Sequence, residues 1–180
     1  MDCLEGASRD AEKRMTAPQP GADAAIYRRA MREFAAGVAI VACGAGDNRA
    51  GCTVTALSSL SLNPPTLLIC LDRKALTLAR LREAGAFSVN LLAARHRELA
   101  DLFAGRDGAH GEARFVNGAW LTLVTGAPLL ADALAAIDCR VEEIIERHSH
   151  AIVIGAMAGV RQGEGGPGLA HWRSRYETLE

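Results

Sequence analysis

The segment Gly51–Leu71 constrains the fold more than any other part of this sequence. It contains the run Thr53–Ala56, in which hydroxyl and apolar side chains alternate with the period of a half-buried strand. The pair Pro64-Pro65 lacks the N–H groups that a ladder needs, so strand pairing is expected to stop there. Thr66–Leu71 then begins a second apolar, strand-like run. The segment therefore predicts two consecutive strands.

Three serines lie between the two predicted strands, at Ser58, Ser59 and Ser61. A connector that only has to turn needs fewer hydroxyl groups. Hydroxyls gathered with free backbone N–H groups at strand ends make a good binding place for an anionic ligand. Two interpretations stay open at this point: an ordinary polar connector, or part of an anion-binding site.

The composition favours a single globular domain. The chain has 180 residues, of which 49% are hydrophobic and 23% charged, with a formal net charge of -1. A chain of this length buries about 70% of its unfolded surface. The charges are mixed and contain no basic run of the kind that binds nucleic acid. No apolar stretch is long enough to span a bilayer. We therefore expect no nucleic-acid partner and no membrane partner.

The N-terminal region and the cysteines indicate where such a chain works. The first 22 residues predict a flexible tail, followed by one domain over residues 23–180. Acidic residues precede the first apolar run, which argues against a signal peptide. The five cysteines are unclustered and odd in number, which favours free thiols and a cytoplasmic location. A structural zinc site is not expected.

The rest of the sequence alternates short β-like runs with a few helical ones. A helix is predicted from Asp23, as its N-cap, to Ala36. Further helices are predicted over residues 76–83 and 96–103, and strands over residues 38–43, 87–92, 121–125, 134–146, 150–161 and 169–176. Short strands in hairpin order are typical of a mainly β protein built as a barrel, not as an open parallel sheet.

Several short motifs follow one another in a fixed order. They are Gly51–Pro65, Phe87–Leu92, Phe103–Arg106, Glu112–Phe115, Trp120–Pro128, Asp138–Val141 and Gly168–Tyr176. Together they resemble the signature of the short-chain flavin reductases. These proteins are the NAD(P)H:flavin oxidoreductase components of two-component flavin monooxygenases. Each motif is weak on its own, but their common order makes a chance resemblance improbable.

The resemblance implies a fold, an activity and partners. The implied fold is a split β-barrel that forms a homodimer and binds flavin at the dimer interface. The implied reaction is the reduction of FMN, or FAD, by a hydride from NADH or NADPH, and a separate oxygenase would receive the reduced flavin. NADH is the family's commoner donor, but the residues decide neither the nucleotide nor the flavin. Two alternatives remain: an FMN oxidase of the pyridoxamine-phosphate type, and a non-catalytic flavin-binding protein.

A flavin reductase needs a phosphate anchor and a slot for the flavin ring, because the flavin and the nicotinamide carry the chemistry themselves. The resemblance places the ring along Thr53, Val54 and Thr55, and the phosphate between the serines and the basic turn after Leu71. The candidates for the anchor supply hydroxyls or positive charge and are Ser58, Ser59, Arg73, Lys74, Thr77 and Arg106. For the basic turn, a plain solvated loop is the alternative.

Four further residues complete the predicted site. His150 matches the family's histidine at the place where the nicotinamide docks, although His148 replaces the glycine of that motif. Asn90 lies in an apolar strand, and its partner is either a neighbouring backbone group or a flavin carbonyl. Arg173 and Tyr176 belong to the terminal segment that closes the family's pocket. The two histidines could bind a metal ion, but no third ligand is near, so no metal site is predicted.

Overall fold

The computed structural model describes residues 23–106 and 108–180. The predicted tail over residues 1–22 lies outside the described residues. The chain divides into two compact units, Met1–Phe34 and Ala35–Glu180. One helix is described in the first unit, and the second unit contains the strands and the candidate site.

The helix of the first unit, α1, spans Ala24–Met31. Asp23 is its N-cap, as predicted, because the carboxylate accepts a hydrogen bond of 2.7 Å from the backbone N–H of Ala25. The predicted helix is too long at its C-terminal end. Ala36–Gly37 instead form a short strand that pairs with residues 170–171, so strand pairing outweighs the helical periodicity there.

The second unit is mainly β. Its strands are β1 Ala36–Gly37, β2 Ala39–Cys43, β3 Ala50–Val54, β4 Leu57–Leu62, β5 Pro65–Asp72, β6 Ala86–Leu91, β7 Trp120–Leu121, β8 Leu129–Leu130, β9 Ala135–Arg147, β10 His150–Gln162, β11 Gly168–Trp172 and β12 Arg175–Leu179, and its helices are α2 Leu76–Ala84 and α3 Arg97–Phe103. Seven strands form one antiparallel sheet in the order β3-β2-β6-β9-β10-β5-β4. The prediction of a mainly β fold with a few helices is confirmed.

The two edge strands of this sheet are consecutive in the chain. Only Thr55 and Ala56 separate β3, which pairs with β2, from β4, which pairs with β5. The carbonyl of Ala56 also accepts a hydrogen bond of 3.0 Å from the N–H of Cys70 on β5. The sheet therefore curls until its two edges meet in one segment, which we call the junction (Thr55–Ala56). In the described residues β3 and β4 share no ladder, so the predicted barrel is not closed.

The serine segment is a strand, which corrects the predicted connector. β4 pairs with β5 so that Ser58 lies opposite Leu68 and Ser59 opposite Leu67. Both serines are exposed. An edge strand with one face in water keeps its hydroxyl groups hydrated, so serines do not prevent pairing there. The chain turns at Asn63 and Pro64, whereas Pro65 already begins β5 opposite Leu62, so pairing is interrupted one residue earlier than the two prolines predicted.

Two apolar clusters lie on opposite faces of the large sheet. Alternate residues of β2 divide between them: Val41 belongs to the first cluster, and Ile40 and Ala42 belong to the second. α2 packs on the first cluster and α3 on the second, through side chains such as Leu78 and Phe103 respectively. Because both faces of β2 are covered, its five residues are all buried.

The longest hairpin joins β9 to β10, each of 13 residues, close to the predicted bounds. The strand predicted over residues 169–176 is instead the hairpin β11–β12. Arg173 and Ser174 form its turn, with φ angles of 49° and 66° in the left-handed region.

Asp138 explains why the strand predicted over residues 121–125 is shorter. Its buried carboxylate accepts hydrogen bonds of 2.8 Å from the backbone N–H groups of Val124 and Thr125, and another from the Thr125 hydroxyl. These N–H groups are therefore unavailable to a ladder, and β7 contains only two residues.

Candidate functional site

Six of the predicted site residues fall into two groups near the junction. The turn group comprises Arg73, Lys74 and His150, and the helix group comprises Thr53, Arg106 and Tyr176. The turn group follows β5, whose Cys70 is bonded to Ala56. The helix group surrounds α3 and includes the end of β3 just before the junction. The junction therefore lies between the two groups: Thr53 precedes it in the chain, and Ala56 is hydrogen-bonded to the strand that leads to Arg73.

The turn group forms because two turns meet at one end of the sheet. His150 lies opposite Asp72 in the ladder between β10 and β5. The backbone N–H of Arg73 donates to the carbonyl of Ser149 over 3.0 Å. The carboxylate of Asp72 accepts a hydrogen bond of 2.7 Å from the N–H of Lys74, which shapes the turn after β5. The predicted basic turn and the predicted histidine are therefore neighbours.

Arg73 and Lys74 have different surroundings. The guanidinium group of Arg73 donates to the carbonyl of His148 over 3.1 Å and forms an ion pair of 2.6 Å with Glu146, which also pairs with Arg82. In the part of the chain that the structure describes, the ammonium group of Lys74 makes no hydrogen bond or ion pair, and the residue is exposed. Lys74 therefore offers an uncompensated positive charge to a ligand.

His150 faces the outer side of the sheet. Its neighbour Ala151 and the adjacent Leu71 belong to the first cluster, which we also call the inner cluster, and strand side chains alternate between faces. The ring Nδ1 lies 2.9 Å from the hydroxyl oxygen of Ser149, and the residue is exposed. Preceding it in the turn, His148 has a φ of 50°, in the left-handed region that residues other than glycine rarely adopt.

The helix group is organised by α3. The hydroxyl of Thr53 donates to the carbonyl of Ala100 over 2.6 Å. Arg106 forms an ion pair of 2.6 Å with Asp101, and its guanidinium carbon lies 5.4 Å from the ring centroid of Tyr176. Burial, followed by the charge of Asp101, raises the pKa of Tyr176, so its hydroxyl keeps its proton at neutral pH. A cavity of about 390 Å³ adjoins this group and includes Arg106 in its lining.

β3 leaves backbone groups of Thr53 free on its outer side. The carbonyl of Gly51 accepts a hydrogen bond of 2.9 Å from Arg114, so this carbonyl points away from β2. Backbone groups alternate along a strand, and those of Thr53, two residues on, point the same way. Because β3 is an edge of the sheet, no ladder partner takes them within the described residues. A flat ring with donors and acceptors at its rim can bind to such an edge.

The hydrogen-bond partners of Asn90 are groups of the protein itself, which is the first of the two alternatives predicted for it. The residue is fully buried in β6. Its amide nitrogen donates to the carbonyl of Ile40 and to the hydroxyl of Ser88, and its oxygen accepts a hydrogen bond of 2.7 Å from the N–H of Leu130. All of its polar atoms are therefore satisfied by the protein, as buried groups require.

Thr77 and Val54 are also inside the protein. Thr77 is 3% exposed, and its backbone carbonyl accepts a hydrogen bond of 3.4 Å from the thiol of Cys43. This burial does not support its predicted role in the phosphate anchor. The side chain of Val54 belongs to the inner cluster, whereas Thr55 is exposed. Of the predicted ring slot, the side chain of Thr55 and the backbone edge at Thr53 remain accessible.

The predicted phosphate anchor separates into two places. Ser58 lies opposite Leu68, and Asp72 follows Leu68 by four positions along β5. This offset is about 13 Å at the rise of a β-strand. The serines and Lys74 of one chain therefore lie at different places along the sheet edge, and their joint contact with one phosphate group stays a prediction. Arg173 lies in the β11–β12 turn, with its guanidinium carbon 4.4 Å from the ring centroid of Trp172.

The motifs alone did not reveal the role of Arg114. This residue fastens the loop after α3 to β3, because its guanidinium group donates to backbone carbonyls that include those of Gly51 and Phe103, over 2.9 and 3.0 Å. In the same loop Glu112 pairs with Arg49, and the hydrogen bond from Arg49 lowers the pKa of Glu112. The Glu112–Phe115 motif was the available signal, but only the structure shows what it contacts.

Within residues 23–106 and 108–180, no group of three or more His, Cys, Asp and Glu side chains is arranged to hold a metal ion. No helix in these ranges has both the length and the apolar character needed to cross a membrane. The four described cysteines are free, and burial raises the pKa of the Cys43 and Cys139 thiols to about 12.

Sequence comparison places the chain among known enzymes. Residues 31–180 match the family model described as the flavin reductase like domain. The FMN reductase (NADH) RutF of Agrobacterium fabrum is 40% identical over 153 residues, which cover 85% of this chain and 87% of that protein.

Structural comparison agrees with the sequence. BorF, the flavin reductase component of a bacterial two-component tryptophan halogenase, has a TM-score of 0.80 and 30% identity, covering 87% of this chain and 98% of that one. The Streptomyces globisporus NADH:FAD oxidoreductase SgcE6, in complex with NAD and FAD fragments, has a TM-score of 0.78 and 28% identity, covering 88% and 93%. The family predicted from the motifs is confirmed, and this chain belongs to the flavin reductase like domain family.

Proposed function

We propose that this chain is an NADH-dependent flavin reductase that acts on FMN. The name of its Agrobacterium fabrum relative supports both the donor and the flavin. The oxidoreductase supplies reduced flavin to a separate oxygenase. This part of the proposal is supported by the similarity to BorF, which is one component of a two-component halogenase.

The main support for the proposal is that two sets of polar groups, one on either side of the junction, have no protein partner within the described residues. On one side, the backbone N–H and carbonyl of Thr53 lie on a free sheet edge. On the other side, the charge of Lys74 is uncompensated in the described residues. FMN carries a polar ring edge and a phosphate group, and these are complementary to the two sets of groups.

Each residue has a limited task, because the flavin accepts the hydride and the nicotinamide donates it. The edge at Thr53 and the side chain of Thr55 bind the ring. Lys74 balances the phosphate charge. Ser58 and Ser59 contact the ligand at a different place along the sheet edge. None of these groups has to change its protonation state for the hydride to move.

The nicotinamide side is formed by the β9–β10 turn and the end of the chain. His150 faces outward at the start of β10, where its ring contacts the nicotinamide and orients it. Arg106, Tyr176 and Arg173 cover the pocket and exclude water from it. The charge of Arg106 is already balanced by Asp101, so this residue contributes mainly by contact with the Tyr176 ring.

The finer fold, a split barrel that forms a homodimer, is part of this proposal. Within Ala35–Glu180 the outer side of β5 and β10 carries Leu68, Cys70, Ile152 and Ile154, all partly exposed. An apolar sheet face of this kind is suited to a second copy of the chain. Sedimentation equilibrium tests this point: a dimer mass is expected, and a monomer at all concentrations would contradict it.

We also place the protein in the cytoplasm. The free thiols of the four described cysteines support a reducing compartment. Fractionation of cells that express the full chain tests this location, with the protein expected in the fraction of cytoplasmic enzymes.

Steady-state oxidation of NADH and NADPH, measured with FMN, FAD and riboflavin, tests the function. We expect sustained NADH oxidation with free FMN in large excess over the protein, and slower oxidation of NADPH. A yellow, stoichiometric flavin complex that does not react with NADH would indicate the oxidase alternative. Flavin binding without any turnover would indicate a non-catalytic flavin-binding protein.

A further inference from the structure

We propose that Arg73 is a positioning residue that holds the turn carrying His150, and that it is not a ligand of the flavin phosphate. This inference rests on the proposed function, because the nicotinamide role of His150 makes its placement matter. It assigns different roles to Arg73 and Lys74, which the sequence alone does not distinguish.

The contacts of Arg73 all point to the β9–β10 turn. Its backbone N–H donates to the carbonyl of Ser149 over 3.0 Å. Its guanidinium group donates to the carbonyl of His148 over 3.1 Å and pairs with the carboxylate of Glu146 over 2.6 Å. One residue thus contacts the strand before the turn and both residues of the turn. The planar guanidinium is suited to bridging several acceptors in this way.

Glu146, the ion-pair partner of Arg73, is itself held by a second arginine. Its carboxylate also pairs with Arg82 on α2. The hydrogen bond from Arg82, together with the charges of both arginines, lowers the pKa of Glu146, so the carboxylate stays charged at neutral pH. Arg73 therefore faces a permanent negative charge within the protein.

The turn needs such support because of His148. Its φ of 50° is in the left-handed region, where a side chain crowds the following backbone. Residues in that region persist only when surrounding contacts hold them there. The bonds from Arg73 to the His148 and Ser149 carbonyls are contacts of this kind. They fix the two residues that immediately precede His150 and so fix the start of β10.

Kinetics of four variants separate positioning from phosphate binding. For Arg73→Ala we expect the KM for NADH to rise about fivefold or more, while the KM for FMN changes less than about twofold. Arg73→Lys should recover part of the NADH effect, because an ammonium group can still pair with Glu146. Lys74→Ala should show the opposite split. Arg82→Ala removes the other partner of Glu146 without touching the turn, and should leave both constants within about twofold of wild type.

Hydrogen exchange gives a readout that does not depend on activity. In Arg73→Ala, backbone amides in residues 147–151 should exchange faster than in wild type, whereas those of the distant hairpin around Gly46–Asn48 should not change. A raised KM for FMN with an unchanged KM for NADH, or unchanged exchange in the turn, would overturn the inference. An inactive wild-type protein would instead overturn the proposed function, and the exchange experiment would still decide whether Arg73 holds the turn.

Discussion

Polar residues occur in two contrasting regions of the sheet. In the middle of the strands, Asn90 and Asp138 are fully buried, and each is surrounded by hydrogen-bonding partners from the protein. At the strand ends, Lys74 and His150 are exposed, and Lys74 has no ion-pair partner among the described residues. The polar groups of the first region are all used within the protein, whereas those of the second region can still bind a ligand.

The difference shows that the motifs of one family carry two kinds of constraint. Asn90 lies in the Phe87–Leu92 motif and Asp138 in the Asp138–Val141 motif, whereas Thr53 and Thr55, which are proposed to bind the flavin, lie in the Gly51–Pro65 motif. A buried polar group with every partner present stabilises one arrangement of the chain. A polar group at a strand end that lacks a protein partner for its hydrogen bonds or its charge is available to bind a ligand. Substitutions in the first region should therefore change stability, and those in the second should change binding and catalysis.

Truncation of Asn90 should affect stability, not ligand binding. Asn90→Ala leaves the N–H of Leu130 and the carbonyl of Ile40 without their partner and adds a cavity, so we expect a loss of about 3 kcal/mol of unfolding free energy. Urea denaturation measures this loss. Asn117→Ala, at an exposed position, is the control and should change stability by less than about 0.5 kcal/mol.

A stable Asn90→Ala protein with a weakened affinity for FMN would contradict the purely structural role assigned to Asn90. It would mean that the buried amide reaches the ligand through a rearrangement of β6.

The two histidines of the β9–β10 turn should differ in their effect on catalysis. His150→Ala should lower kcat/KM for NADH about tenfold, because the ring that orients the nicotinamide is lost. His148→Ala should have a clearly smaller effect, since that side chain is assigned no contact with the nucleotide. Initial rates with NADH varied at saturating FMN measure both. Equal losses in the two variants would remove the assignment of His150.

Lys74 should matter only for flavins that carry a phosphate. Lys74→Ala should raise the KM for FMN about fivefold, since an exposed charge contributes roughly 1 kcal/mol to a charge-assisted contact. The KM for riboflavin, which lacks the phosphate, should not change. Lys74→Arg keeps the charge and should keep most of the FMN affinity. A parallel loss for both flavins would show that Lys74 acts on the ring or on the fold.

The partly buried pair of Glu112 and Arg49 should have the smallest effect. The hydrogen bond from Arg49 holds the pKa of Glu112 below its ordinary value of 4.5. The stabilisation is therefore complete above that value and is lost as the pH falls through the lower, folded-state pKa. Glu112→Gln should cost less than about 1 kcal/mol at pH 7. Urea denaturation should show wild type and variant converging at low pH, and a difference that grows on acidification would be inconsistent with this sign.

Much of the fold was predictable from the sequence. The alternation in Thr53–Ala56 predicted β3, although this strand ends at Val54. Pro64 marked the turn before β5, and Gly85 ended α2 where expected. These features depend on local periodicity and backbone preference. The order of the motifs also identified the family, because it combines several weak signals along one chain.

The partners of individual side chains were not predictable. Nothing in the sequence shows that Ser58 pairs opposite Leu68, since the register depends on which strands meet. The same holds for Arg73: its contact with the β9–β10 turn depends on a pairing between distant strands. Sequence patterns indicate which residues are polar, but three-dimensional pairing decides which of them are already satisfied.

A crystal structure of the protein with oxidised FMN would show directly whether the flavin ring and phosphate bind on the two sides of the junction. We expect the ring along the β3 edge at Thr53 and Thr55, with the phosphate at Lys74 and with Arg73 still bonded to the β9–β10 turn. FMN bound elsewhere, with Lys74 in solvent and the β3 edge free, would contradict the account.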